Sequence, residues 1–242
     1  MNGNIVNIYS ASQLADVGDL SPLKVGQIDI SSATRLQALK VGDASSSYDN
    51  FNLYSMSFGN NVLLKTVDVR NCSGFGDTTM QGHTQTTVDL SGCSIIENVY
   101  FEGTKIAGVS LPNGGVLKIL HLPKTITNLT VLNQRALTSF EIEDDDYSSI
   151  TTLRVENSSN LIPVDDILAE MPANSRVRLI GFSMTVSTTD EVEDFYDYLD
   201  TMRGLDEAGN NLDTAVVSGT ITGLNTITGA WYSAMKARYP YI

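Results

Sequence analysis

The sequence predicts an α/β solenoid: a stack of short parallel strands, two half-repeats per coil of 20–24 residues, with a helical C-terminal cap. Three observations carry this. Apolar triplets recur about every ten residues, as in Val88-Asp89-Leu90, Val99-Tyr100-Phe101 and Val109-Ser110-Leu111. One spacing of apolar residues is repeated in seven segments. Beyond residue 182 the apolar period becomes that of an amphipathic helix.

Taking the second apolar residue of each triplet gives two series. One is Ile30, Phe58, Met80, Phe101, Leu122 and Ile142, with steps of 28, 22, 21, 21 and 20. The other is Val41, Val69, Leu90, Leu111, Val131, Val155 and Leu179, with steps of 28, 21, 21, 20, 24 and 24. The shared first step of 28 points to an inserted loop in GDASSSYDNFN, 42–52, which has turn-forming composition. Met80, in the Gly-rich stretch SGFGDTTMQGHTQTT, is the least regular member. A single coil cannot bury its own apolar residues, but stacked coils make a continuous core and pair their strands in parallel.

The repeated spacing is L-x-x-L-x-L. It occurs at Leu36-Leu39-Val41, Leu53-Met56-Phe58, Leu64-Val67-Val69, Ile96-Val99-Phe101, Ile126-Leu129-Val131, Leu137-Phe140-Ile142 and Ile150-Leu153-Val155. This is the leucine-rich-repeat pattern. Three residues past the strand that pattern expects Asn or Cys. Asn61, Cys72 and Cys93 conform; Ala44, Thr104, Gly114, Gln134 and Ser158 do not. The register places Cys72 and Cys93 at equivalent bends of neighbouring coils, as buried free thiols.

The chain divides into an N-terminal cap (1–27), the leucine-rich-repeat-like solenoid (28–182) and a helix-containing C-terminal cap (183–242). PVDDILAEM, 163–171, reads as a short helix, with Pro at its start and acids in its first turn. RVRLIGF, 176–182, restores a strand. TTDEVEDFYDYLDTMRG, 188–204, reads as an amphipathic helix, with Val192, Phe195, Tyr196, Leu199 and Met202 on one face. Thr188 and Glu191 form its capping box and Gly204 its stop. Residues 204–213 are turn-rich, 215–221 a strand, 225–238 a last helix, and YPYI a terminal strand or linker start. Helices over the end of a stack block edge-to-edge growth.

Composition bounds the function. The 242 residues are 42% hydrophobic, enough for a folded core. No run approaches the ~20 apolar residues of a membrane span, and the N-terminus lacks the basic flank and apolar run of a secretory signal. The net charge of −13 is uneven: residues 1–140 carry 10 acids and 9 Lys/Arg, residues 141–242 carry 18 and 6. This argues against nucleic acid as a partner. No nucleophile elbow, phosphate loop or zinc signature occurs, so no catalytic, cofactor or metal residue is assigned. The acidic run 141–146 lacks an EF-hand spacing and reads as a solvated loop. What remains is an outward strand face. Its candidate interaction residues are Asp68, Asp89, Tyr100, His121, Glu141 and Arg154, joined by Tyr54 near the insertion, with Tyr48 and Phe51 as further aromatics there.

The stretches LLKTVDVRNC (63–72), LSGCSIIENVYFEGTKIAGVSLPNGGVLKILHLPKTITNLTVLNQRALTSFEIE (90–143), TTLRVENSSNL (151–161) and VRLIG (177–181), with the closing GLDEAGNNLDTAVVSGTI, resemble leucine-rich-repeat-like structural proteins of tailed bacteriophages and prophages. The likeness covers nearly the whole chain. It implies a non-enzymatic virion component of tail, baseplate or fibre, contacting other virion proteins and copies of itself. It supplies no catalytic residues. The alternatives are a module binding a host receptor or surface glycan, a bacterial surface repeat protein, or a polysaccharide-cleaving enzyme.

Overall fold

A computed structural model describes residues 6–9, 18–20, 24–45, 49–206, 208–223 and 230–242. In chain order the strands are β1 (Val6–Tyr9), β2 (Val25–Asp29), β3 (Ala38–Lys40), β4 (Ser55–Ser57), β5 (Thr66–Asp68), β6 (Thr87–Asp89), β7 (Asn98–Tyr100), β8 (Gly108–Ser110), β9 (Ile119–Leu122), β10 (Asn128–Leu132), β11 (Ser139–Ile142), β12 (Thr152–Glu156), β13 (Arg176–Thr185), β14 (Arg203–Leu205), β15 (Asn211–Leu212) and β16 (Val216–Thr222). The helices are α1 (Val164–Glu170), α2 (Thr189–Thr201) and α3 (Ala230–Arg238). The fold is mixed α/β, with sequentially stacked and mostly parallel sheets and few helices.

The described residues form three sheets, ordered β1-β2-β4, β3-β5-β7-β9-β11 and β6-β8-β10-β12-β13-β14-β15, with β16 also on β13. Among these pairings only β14 with β15 is antiparallel. Strands of three residues suffice because each shares a ladder with neighbours, while their apolar centres point into one core. Leu39, Val67, Val99 and Leu120 are fully buried in the five-stranded sheet; Val88, Leu129, Leu153 and Val177 are buried opposite them.

The two predicted series need one correction. Met80 lies in a turn, not a strand. The five-stranded sheet is followed by Val41, Val69, Phe101, Leu122 and Ile142, with steps of 28, 32, 21 and 20. The other side runs Ile30, Phe58, Leu90, Leu111, Val131, Val155 and Leu179, with steps of 28, 32, 21, 20, 24 and 24. Both sides thus share their first four steps, and the two predicted series change sides at Met80. The physical cause is a second insertion between β5 and β6. There Phe75 is fully buried, and its carbonyl accepts from Lys105 N–H at 2.7 Å. Gly76 adopts φ +90, a conformation suited to glycine, with the backbone of Lys105 packed against it. Cys72 and Cys93 are free and buried, as expected, but follow β5 and β6 on different sheets rather than equivalent bends.

That second insertion also interrupts the ladder between β4 and β6, which belong to separate sheets. The Gln85 side chain bridges the gap. Its Oε1 accepts from Met56 N–H at 2.8 Å and its Nε2 donates to Met56 O at 2.9 Å. A side-chain amide here replaces a neighbouring peptide, as buried backbone groups require.

At four of the bends a side chain donates to a backbone carbonyl. Asn61 Nδ2 donates to Ile30 O at 2.8 Å and also to Phe58 O. Thr104 Oγ1 donates to Phe101 O at 2.8 Å, Gln134 Nε2 to Pro112 O at 2.7 Å, and Ser158 Oγ to Val131 O at 3.1 Å.

In the C-terminal part, α1 and α2 fall where the periodicity places them. Thr188 Oγ1 accepts from Glu191 N–H at 3.2 Å, and Glu191 Oε2 accepts from Ser187 N–H at 2.8 Å. Val192, Phe195, Tyr196, Leu199 and Met202 are all buried. Gly204 is not a helix stop. The helix ends at Thr201, and Gly204 lies in β14, where Thr214 O approaches too closely for a side chain. The turn-rich 204–213 holds the β14–β15 hairpin, and β14 and β16 together make the rung beside β13. Of the last predicted helix, 230–238 is helical and 225–229 lies outside the described residues. YPYI is a turn whose Tyr241 carbonyl accepts from Gly219 N–H at 2.9 Å. No helix among the described residues is long and apolar enough to cross a membrane.

Candidate functional site

The outer face of the five-stranded sheet carries the most organised side-chain cluster. Strand register aligns Lys40, Asp68, Tyr100, His121 and Glu141 in one row across β3, β5, β7, β9 and β11. The two-residue period of a strand puts Arg70, Glu102 and Glu143 beside that row and Ser139 on its other side. Four predicted residues, Asp68, Tyr100, His121 and Glu141, are therefore neighbours.

They are linked by specific contacts. The Arg70 guanidinium donates to both oxygens of Asp68, at 3.0 Å from Nε and 2.7 Å from Nη2. It also lies 4.5 Å from the centre of the Tyr100 ring, a favourable cation–π distance. The hydrogen bonds to Asp68 raise the pKa of Arg70 further. Tyr100 meets His121 edge-on, with centroids 5.3 Å apart. His121 Nδ1 is 2.9 Å from Glu102 Oε1 and 3.6 Å from Glu141 Oε2, while its Nε2 is 2.8 Å from Ser139 Oγ. An ionised carboxylate can only accept, so Nδ1 carries the proton and, in neutral imidazole, Nε2 accepts from the Ser139 hydroxyl.

Glu102 is the electrostatic focus. Burial pushes its carboxyl above the ordinary glutamate range, against the hydrogen bond from His121 and the charge of Arg70. Its Oε2 is buried and has no hydrogen-bond partner among the described residues.

Two chemistries suit this constellation. Ser139, His121 and Glu102 have the spacing of a nucleophile, base and orienting acid. An acyl-transfer site also needs donors for a developing oxyanion, yet Ser139 N–H is engaged with Lys118 O at 3.0 Å. Alternatively, Glu102, His121 and Glu141 each offer one ligand atom, all within 4.8 Å of one another.

The remaining predicted residues lie elsewhere. Asp89 lines a cleft of about 480 Å³ beside β4 and β6, with Ser57, Gln85 and Thr87. Arg154 is on β12, where its Nε and that of Arg178 both donate to Glu156 Oε1 at 2.7 Å. Tyr54 packs on His83, 5.7 Å between rings, and its hydroxyl reaches Gln27 Oε1 at 3.3 Å. Phe51 is exposed, with the Lys24 ammonium 5.8 Å from its ring centre. Tyr48 lies outside the described residues. The acidic run is divided: Glu141 joins His121, Glu143 Oε2 accepts from Gly103 N–H at 3.3 Å, and Asp144 pairs with Lys124 at 2.6 Å.

Sequence reasoning missed Arg70, Glu102 and Ser139. A signal existed, since each is two residues from an outward position in its strand. It goes unused when only strand centres are considered. No protein-family model, curated protein or solved structure matches the chain.

Proposed function

We propose that this chain is a leucine-rich-repeat-like solenoid acting as a non-enzymatic protein–protein interaction scaffold, and that it is a structural component of a phage virion. The observation that carries the scaffold reading is an exposed apolar column. Backbone bonds from Lys65 to Gln37, Glu97 to Lys65, Lys118 to Glu97 and Thr138 to Lys118 hold successive coils in register. Two residues before each of these donors stand Leu63, Ile95, Val116 and Ala136. Leu63 and Val116 are each 43% exposed, and Ile95 is half-buried between them. At about 4.8 Å per strand the column extends roughly 15 Å.

Beside it runs a rim of ion pairs, Lys65 with Glu97 at 3.6 Å and Lys118 with Glu97 at 2.7 Å. Apolar surface rimmed by charge is what a docking face needs. The bend residues Asn61, Thr104, Gln134 and Ser158 donate to backbone carbonyls, which supports the leucine-rich-repeat type. The virion setting rests on the resemblance of the repeat stretches.

Mass spectrometry of purified particles tests the setting: the chain should be present at fixed stoichiometry, and its absence would overturn the virion reading. Leu63→Asp together with Val116→Asp tests the surface. The double variant should fold but fail to incorporate; normal incorporation would remove the column from the interface.

A further inference from the structure

We propose that Glu102, His121 and Glu141 bind a divalent transition-metal ion of the zinc class, through His121 Nδ1 and one oxygen of each carboxylate. Nothing in the scaffold reading requires this site, and the two stand or fall separately.

The geometry fits the ion. Bonds of about 2.0–2.1 Å in a tetrahedron put neighbouring ligand atoms about 3.3 Å apart. The observed separations from Nδ1 are 2.9 Å to Glu102 and 3.6 Å to Glu141, on either side of that value. Closing the longer separation falls on Glu141, whose side chain is 53% exposed and can rotate; the shorter one opens as the hydrogen bond between His121 and Glu102, 16% and 18% exposed, gives way to the shared ion. The ligands stand on β9, β11 and the second residue after β7, three successive parallel strands, so their backbone spacing is set by the ladder.

The chemistry fits as well. Two carboxylates and one imidazole make an oxygen-and-nitrogen set that balances a divalent charge. Glu102 is a largely buried carboxylate whose Oε2 has no hydrogen-bond partner among the described residues. A cation would supply the missing counter-charge. On metal binding Nδ1 gives up its proton, the neutral ring carries its proton on Nε2, and Nε2–H donates to Ser139 Oγ, 2.8 Å away. Such second-layer hydrogen bonds fix the ring of a ligating histidine. The nearby cations are engaged elsewhere, Arg70 with Asp68 and Lys124 with Asp144.

A metal at this position also uses Glu141, for which a Ser139–His121–Glu102 relay has no role. Three protein ligands leave one position for water or a partner's side chain, as in exchangeable zinc sites.

The test is calorimetric titration of zinc into the full chain freed of metal by chelator, with cobalt substitution to read coordination by visible absorption. One equivalent should bind in the micromolar range or tighter, and cobalt should give a four- or five-coordinate spectrum. His121→Ala and Glu102→Gln should weaken binding about a hundredfold or more, and Ser139→Ala about tenfold. Circular dichroism confirms folding, and Asp190→Asn on α2 serves as a distant control that should leave affinity unchanged. Absence of binding at millimolar zinc would overturn the proposal. So would affinity unchanged in His121→Ala. Metal-free hydrolysis of an activated ester that is lost in Ser139→Ala would replace the metal site with the relay.

Discussion

The two sides of the stack share a spacing but not a surface. Each advances by 28, 32, 21 and 20 residues over its first five strands, and each turns the apolar centres of its strands to the core, Val109 and Phe140 being only partly buried. Their outer rows diverge. One carries Lys40, Asp68, Tyr100, His121 and Glu141, the last four knitted into a chain of contacts through Arg70 and the largely buried Glu102. The other carries Ser57, Asp89, Ser110, Thr130, Arg154 and Arg178, small and hydroxylic in the middle and basic at one end. The inward row is under the same packing constraint on both sides. The outward row is under less, with only Asp68 and Arg178 among its members buried, and at its other positions chemistry can differ at little cost to the fold.

The largest effects should therefore be equal on the two sides. Leu120→Ala and Leu153→Ala each remove a fully buried side chain, and each should cost about 2–5 kcal/mol in chemical denaturation. A much smaller loss at one would show that the two ladders do not contribute alike.

Next come the charged clusters. Arg178→Ala removes one of two guanidinium partners of Glu156 and should cost about 1–3 kcal/mol. The pH dependence should then separate the faces by sign. Burial works against Glu156, but hydrogen bonds from Arg178 and Arg154 hold its carboxyl below the ordinary range. It stabilises the fold above the unfolded glutamate pKa, and that contribution disappears as pH falls through its lowered value. Glu102 is the reverse. Its raised pKa means that ionisation costs stability as pH rises from the unfolded value through the folded one. Glu156→Gln should lower Tm at pH 7, whereas Glu102→Gln should hold or raise it. Both differences should close as pH falls to about 4 or below. A drop in Tm for Glu102→Gln at pH 7 would mean that the ionised carboxylate contributes to the fold after all.

The smallest effect belongs to the hydroxylic row. Ser110 is exposed on β8, and Ser110→Ala should change stability by no more than about 0.5 kcal/mol. A larger loss would mark the middle of that face as structurally engaged.

Inward and outward rows also differ in how legible they are along the chain. Leu39, Val99 and Leu129 announce themselves because a two-residue alternation inside a repeating spacing is what a stacked parallel strand requires and little else produces. The helix 189–201 does so through its capping pair and one apolar face. Met80 misled because an insertion of about half a repeat keeps the ten-residue count while abolishing the strand. Only the burial of Phe75 and the bridging amide of Gln85 reveal the substitution. Gly204 misled because glycine serves helix ends and close backbone crossings alike, and nothing local distinguishes them.

The sequence by itself determined the stacked parallel architecture, the inward residues and the free, buried thiols, because periodic burial is written into neighbouring positions. Tertiary structure decided which strand lies beside which, and so which outward side chains meet. Glu102 and His121 are separated by 19 residues along the chain. Their contact depends on the register of β7 against β9, a relation between coils that no local pattern encodes.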